Sequence, residues 1–193
     1  GQSIGAGDAI TWGLADVFVR AEHWPAMVET LRHGEQPSAE HVVATVMERC
    51  DIAPESASDI SVAQVDRHFG QPTVAAILAS LVQADDDWAR GTLATLQTRS
   101  PLMMAVTLEL VRRGRGLDLA DDLRLERDLV HHAFHLRGPA RSETVEGIRA
   151  LAVDKDQAPR WQPAAVADVD PAEVAAFFAS PWAPDEHPLR DLA

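Results

Sequence analysis

Apolar residues recur at one-turn spacing along most of this chain, and the two-residue alternation of strands is nearly absent. Trp24, Met27, Val28 and Leu31 form an i, i+3, i+4, i+7 stripe, with Pro25 tolerable in its first turn. Val43, Val46, Met47 and Cys50 form a second stripe, which places Cys50 in a core rather than in a reactive site. Val62, Val65 and Phe69 predict a short helix ended by Gly70 and Pro72, and Val74, Ile77, Leu78, Leu81 and Val82 give the cleanest amphipathic pattern. Ser100-Pro101, an N-cap with an N1 proline, opens a helix that turns Leu102, Val106 and Leu110 inward and stops at Gly114 and Gly116. A further helix, Asp118 to Leu136, carries Leu119, Leu123, Val130 and Phe134 on one stripe, interrupted by Glu126. Buried there, Glu126 needs a partner, and Arg149 is preferred to a substrate contact. The one strand signal, Val17-Phe18-Val19, follows a short helix and Gly13-Leu14-Ala15-Asp16; its pairing strand is expected outside the chain.

The stretch from Ser142 to Pro163 is the most informative. Ser142 is an N-cap, and Glu143 and Glu146 put negative charge in the first turn, where a helix N-terminus favours it. Val145, Ile148 and Ala152 share a face with Leu151 beside them, and Gly147 leaves room for another backbone. The helix should fail near Asp154-Lys155-Asp156, where Pro159 and Pro163 frame an extended exit past Trp161. Beyond it, Asp170-Pro171-Ala172-Glu173 reads as an N-cap, an N1 proline and a capping-box acid before Val174, Phe177 and Phe178.

Composition removes several function classes. A formal charge of −13 disfavours a nucleic-acid backbone as partner, since that contact needs clustered Lys and Arg. No run of about 18 apolar residues predicts a membrane span. A single cysteine rules out an internal disulfide and suits a reducing compartment, for which we expect the cytoplasm. Residues 51–60 form the clearest internal loop. Asp85-Asp86-Asp87 reads as a solvated helix start, and His131, His132 and His135 as a partly exposed helix end, so no metal site is expected. The chain opens without Met on structured-looking sequence, which suits a piece of something longer.

Glu146-Gly147-Ile148-Arg149-Ala150, then Val153-Asp154-Lys155-Asp156, then Pro159-Arg160-Trp161 and Pro163 closely resemble the C-terminal signature of the 3-hydroxyisobutyryl-CoA hydrolases, a branch of the crotonase (enoyl-CoA hydratase/isomerase) superfamily. Gly5 to Asp16, Thr73 to Leu96, and the helix after Ser100-Pro101 are similar to that family too, although it usually has an aromatic residue and then Arg where Arg127 and Asp128 follow Glu126 here. The resemblance implies a mostly α fold: the helical C-terminal part of a crotonase-like α/β fold, with at most a short strand near the N-terminus. Residues 1–20 would end the crotonase core, 21–163 form the helical region, and 164–193 the linker, short terminal helix and tail.

The same resemblance implies hydrolysis of 3-hydroxyisobutyryl-CoA or a similar short 3-hydroxyacyl-CoA, a step of valine catabolism. It also implies catalytic residues upstream of this chain, in a missing N-terminal crotonase core. No Gly-x-Ser-x-Gly elbow, phosphate loop or ligand cluster replaces them. No catalytic residue and no cofactor are expected here, coenzyme A being part of the substrate. Arg149, Lys155 and Arg160 are the expected contacts to its phosphates. A homo-oligomer is a possible further partner. The alternatives are an enoyl-CoA hydratase or isomerase fragment, or a non-catalytic helical interaction module.

Overall fold

The computed structural model describes residues 3–33, 38–56 and 60–192. Positions 57–59 of the expected 51–60 loop, and the chain's first two and last residues, lie outside them. The described residues are mostly helical and hold one isolated β-bridge, so the mostly α expectation stands. The chain divides into two compact units, residues 1–66 and 67–193.

In the first unit, α1 (Ala6–Thr11) leads into the Phe18 segment, and α2 (Trp24–His33) packs on α3 (Ala39–Met47). Within the chain the extended segment makes one isolated bridge and no strand: Phe18 bridges Asp51, whose N–H donates to the Phe18 carbonyl at 2.8 Å. Asp51 then accepts from the Arg20 N–H at 3.1 Å, so one aspartate closes the pairing at both ends. The α3 stripe is corrected. Thr45 is the buried residue, whereas Val43, Met47 and Cys50 are exposed. On α2 only Met27 of the expected stripe is buried. Gly7 meets the backbone directly. A Cβ there would collide with the carbonyl oxygen of Pro54 and lie 2.6 Å from that of Glu55. Beside it the buried Asp8 accepts from Ser56 Oγ at 2.5 Å.

A helix, α4 (Val62–Phe69), runs across the division between the units. In the second unit follow α5 (Val74–Gln83), α6 (Asp87–Gln97), α7 (Pro101–Gly114) and α8 (Leu119–His135). Next come α9 (Glu143–Ile148), a π-helical turn (Arg149–Val153) and α10 (Pro171–Ala176). The caps form as their residue types dictate: Thr73, Asp86, Ser100, Asp118, Ser142 and Asp170 each accept a backbone N–H from the first turn they precede. Glu173 does not complete the expected capping box; its carboxylate pairs with Arg141 at 3.2 Å.

Two apolar clusters hold this unit. Ile77, Leu81 and Ala89 join α5 to α6, with Trp88, Leu93 and Leu96 packed around them. Leu102, Val106, Leu129 and Phe177 join α7, α8 and the end of α10. Leu81 and Leu102 are fully buried, each contributing about 1.5–3 kcal/mol relative to exposure. His68 is buried too, its ring Nδ1 hydrogen-bonded to Ser80 Oγ at 2.8 Å.

α8 overturns its stripe. Leu119, Leu123, Val130 and Phe134 are exposed, and the buried face is Leu129 with Asp128 and His132. The C-terminal segment covers that polar face. His132 Nε2 donates to the Ala179 carbonyl at 2.7 Å. His187 Nδ1 accepts from the Leu189 N–H, so Nε2 carries the proton and donates to Asp128 at 3.0 Å. Arg124 donates to the carbonyls of Leu189 and Leu192.

Gly7→Ala should lower stability by about 1–3 kcal/mol, because the added methyl meets rigid backbone. Gly91→Ala, with open space around its Cβ position on exposed α6, should raise it by about 0.5–1 kcal/mol. Urea denaturation of the two variants beside the parent checks both, and equal midpoints would sink the distinction.

Candidate functional site

The Ser142–Pro163 stretch folds back on itself around two glutamates and one arginine. Ser142 Oγ caps α9 through the Val145 N–H at 3.2 Å and donates to the Ala133 carbonyl at 2.7 Å, which ties the helix start to α8. Glu143 is buried and accepts from three separate segments: Ser100 Oγ at 2.5 Å, the Gln162 N–H at 3.0 Å and Arg137 at 3.4 Å. Glu146, one turn on, accepts Arg149 on both oxygens at 2.8 and 2.9 Å and the Arg160 N–H at 2.6 Å.

Arg149 has five N–H donors and uses all of them inside the chain. Two go to Glu146; the others reach Asp154 at 2.8 Å, Asp156 at 2.6 Å and the Ala158 carbonyl at 3.1 Å. The π-helical turn begins at Arg149 itself and ends where Asp154 N–H reaches back to the Arg149 carbonyl at 2.8 Å. Lys155 and Gln157 then take φ values of 57° and 55°, left-handed backbone that costs a non-glycine residue about 1–3 kcal/mol. Asp156 braces this turn by accepting from the Ala158 N–H at 2.9 Å. Lys155 stands exposed on it.

The three expected cations therefore differ. Arg149 is fully engaged within the chain. Among the described residues, the side chains of Lys155 and Arg160 take part in no hydrogen bond or ion pair, and both residues are exposed. Trp161 anchors the exit by donating Nε1–H to the Thr98 carbonyl at 3.0 Å, and its ring is the group that comes near Gly147. No backbone approaches there, contrary to the expectation. Glu126 is exposed rather than inward, and Arg149 is paired with Glu146, not with it.

Sequence reading missed the double role of Glu146. Its spacing of three from Arg149 was the available signal, since residues so placed share a helix face. Electrostatics follow from the hub. The Arg149 guanidinium first, and the Arg160 N–H second, hold the Glu146 carboxyl down at about 2. Arg149 also lowers Asp156, with help from the Ala158 N–H. Glu146, Asp154 and Asp156 in turn push Arg149 further up. Among the described residues no cluster of His, Cys, Asp and Glu is arranged to hold a metal ion, and no helix is long and apolar enough to cross a membrane.

The carboxylates of Glu146, Asp154 and Asp156 thus close around one arginine on a helical unit. Comparison with known proteins makes the class definite. The family model described as enoyl-CoA hydratase/isomerase matches residues 1–178, and the chain belongs to that family. It is 33% identical, over 96% of its length, to the 3-hydroxyisobutyryl-CoA hydrolase-like protein 1, mitochondrial, of Arabidopsis thaliana. It is 27% identical, over 92% of its length, to the mitochondrial 3-hydroxyisobutyryl-CoA hydrolase of Dictyostelium discoideum. These matches take in 48% and 46% of those proteins, so the chain spans about half the length of the curated relatives it matches. Among solved structures it resembles a carnitinyl-CoA dehydratase from Mycobacterium thermoresistibile, with a TM-score of 0.68 and 32% identity over 91% of this chain and 48% of that one. An enoyl-CoA hydratase from Rhodobacter sphaeroides gives 0.67 and 33% identity over 94% and 49%.

The lowered carboxyl of Glu146 fixes a pH dependence. Its folded value lies below its ordinary 4.5, so the hub's contribution to stability is complete above that value and is lost as pH falls toward about 2. In Arg149→Gln that acid-side loss should be shallower than in the parent. Urea midpoints measured between pH 5 and pH 2 on both proteins test it; parallel curves would remove Arg149 as the cause.

Proposed function

We infer that this chain is the C-terminal, mostly helical portion of an acyl-CoA thioester hydrolase acting on 3-hydroxyisobutyryl-CoA or a similar short 3-hydroxyacyl-CoA, as in valine breakdown. The observation that carries the reading is the Ser142–Pro163 segment. The residues that resemble the hydrolase signature act together in one network around Glu146 and Arg149, and they are not scattered coincidences. The names of the relatives point the same way. Thioester hydrolysis adds water to the acyl carbonyl, which needs N–H donors for the developing oxyanion and a carboxylate to handle the water proton. We place those groups upstream, in a crotonase core that this chain accompanies.

In this reading Lys155 and Arg160 contact the phosphates of coenzyme A, because they are the cations of the segment with donors to spare. Arg149 shapes the turn that carries them. The rest of the protein would cover the apolar faces left open, above all Leu119, Leu123, Val130 and Phe134 of α8, Ile148 of α9, and Leu151 and Val153 after it. The exposed, unpaired Cys50 is compatible with a reducing compartment, and we keep the cytoplasm as the proposed location. The solved structures favour a second reading, a hydratase or dehydratase of the same family, since both are named as such.

Assayed alone, the 193-residue chain should release no coenzyme A from 3-hydroxyisobutyryl-CoA. Restored to its upstream core it should do so, and water addition to an enoyl-CoA in place of that release would select the second reading. In the restored protein, Lys155→Gln should weaken coenzyme A binding roughly fivefold, as an exposed charge pair worth about 1 kcal/mol predicts. Its affinity for phosphate-free pantetheine should not change; an equal loss for both ligands would remove the phosphate contact. Sedimentation of the isolated chain should show self-association through its open faces, and a monomer at all concentrations would count against a covering core.

A further inference from the structure

Away from the Arg149 hub, the second unit holds an open cleft of about 470 Å³ between α5, α7 and α10 with the stretch leading into it. Its walls are mostly apolar, with Val74, Leu108 and Val174 lining it from the three helices. A cleft of this volume falls in the range of small-molecule sites. Polar groups gather on the α7 side, where Glu109, Arg112 and Arg113 join the lining.

The two arginines are held in different ways. Arg113 donates Nε–H to Glu109 at 2.7 Å and lays its guanidinium over the Phe178 ring, 4.2 Å from the centroid. Its charge is therefore matched by Glu109. Arg112 donates one Nη2–H to the Gln71 carbonyl at 2.9 Å. That single bond fixes the guanidinium and leaves Nε and Nη1 available, the arrangement that suits two-point contact with a planar carboxylate. Two arginines against one glutamate leave one unit of positive charge at the edge of an apolar hollow, on a chain whose net charge is −13.

We propose that this cavity binds a small aliphatic monocarboxylate, its chain among Val74, Leu108 and Val174 and its carboxylate on Arg112. The charge balance selects a monoanion over a polyanionic nucleotide, and the apolar walls select an alkyl body over a sugar or an amino acid. The site does not depend on the thioester reading, because none of its residues belongs to the Ser142–Pro163 stretch.

Sodium octanoate titrated into the full chain by calorimetry tests the proposal, with butyrate and 1-octanol as partners lacking the long chain and the charge respectively. Saturable one-to-one binding of octanoate is expected, with both comparison ligands at least tenfold weaker. Arg112→Gln, an exposed change that should leave the fold intact, should weaken octanoate at least tenfold and leave octanol unaffected. Val174→Trp, which fills the hollow, should abolish binding of both. The proposal is overturned if octanoate fails to saturate, if it binds at many equivalent sites, or if Arg112→Gln leaves its affinity unchanged. It is overturned as well if octanol matches octanoate, or if a second copy of the chain occupies the hollow and Val174→Trp abolishes dimerisation with no effect of octanoate.

Discussion

The buried carboxylate of Glu143 is the constraint on which the second unit depends. A carboxylate out of water is tolerated only when hydrogen bonds and opposite charge replace its hydration. Glu143 obtains them from three parts of the chain that are far apart in sequence: Ser100 at the start of α7, Arg137 after α8, and the backbone of Gln162 beyond the signature turn. Satisfying this one group therefore brings α7, the end of α8, α9 and the segment around Gln162 to a common point. The Ser100 hydroxyl serves twice, accepting the Met103 N–H as an N-cap while it donates to Glu143. The Arg137 side chain is itself largely buried and reaches Glu173 on its other side, so α10 joins the same chain of charges.

Glu146 repeats the device one turn later and nearer the surface. Where Glu143 joins distant elements, Glu146 and Arg149 close a local loop. The five donors of one guanidinium fold the residues from 149 to 158 back over α9. The consequence is chemical. Most of the charged residues that make this stretch recognisable are spent on holding its shape, and among its cations only the Lys155 and Arg160 side chains stand exposed without a partner. The left-handed backbone at Lys155 and Gln157 is sustained because the surrounding bonds over-determine it.

How much of this was legible in the sequence depended on the range of the interaction. Caps and helix ends are local, and Ser100, Asp118, Ser142 and Asp170 all start helices where their residue types indicate. Of the α5 stripe, Val74, Ile77 and Leu81 are buried by their own neighbours, α6 among them, whereas Leu78 is half-buried and Val82 exposed. The α8 stripe was a real pattern assigned to the wrong cover. Periodicity reports that a face is apolar, not that this chain supplies what lies on it. The face that α8 does bury carries Asp128 and His132, which read as polar until partners 59 and 47 residues away are known. Cys50 failed for a related reason. In α3 the buried position is Thr45, one residue or about 100° of rotation from Val46 of the expected stripe, and Cys50 lies beyond the helix end.

The open faces and the saturated arginine bear on one question: what share of a crotonase-family protein this chain supplies. A helix that keeps Leu119, Leu123, Val130 and Phe134 in water loses the hydrophobic stabilisation its composition offers, at about 25 cal/mol for each Å² left uncovered. The proposed reading lays another surface on that face, and the chain spans about half the length of the relatives it matches. Arg149 argues in the same direction. To touch a phosphate it would have to surrender bonds to Glu146, Asp154 or Asp156, and the turn presenting Lys155 would loosen with them. Under the proposed function the work is divided between two side chains, Arg149 holding the turn and Lys155 standing exposed on it.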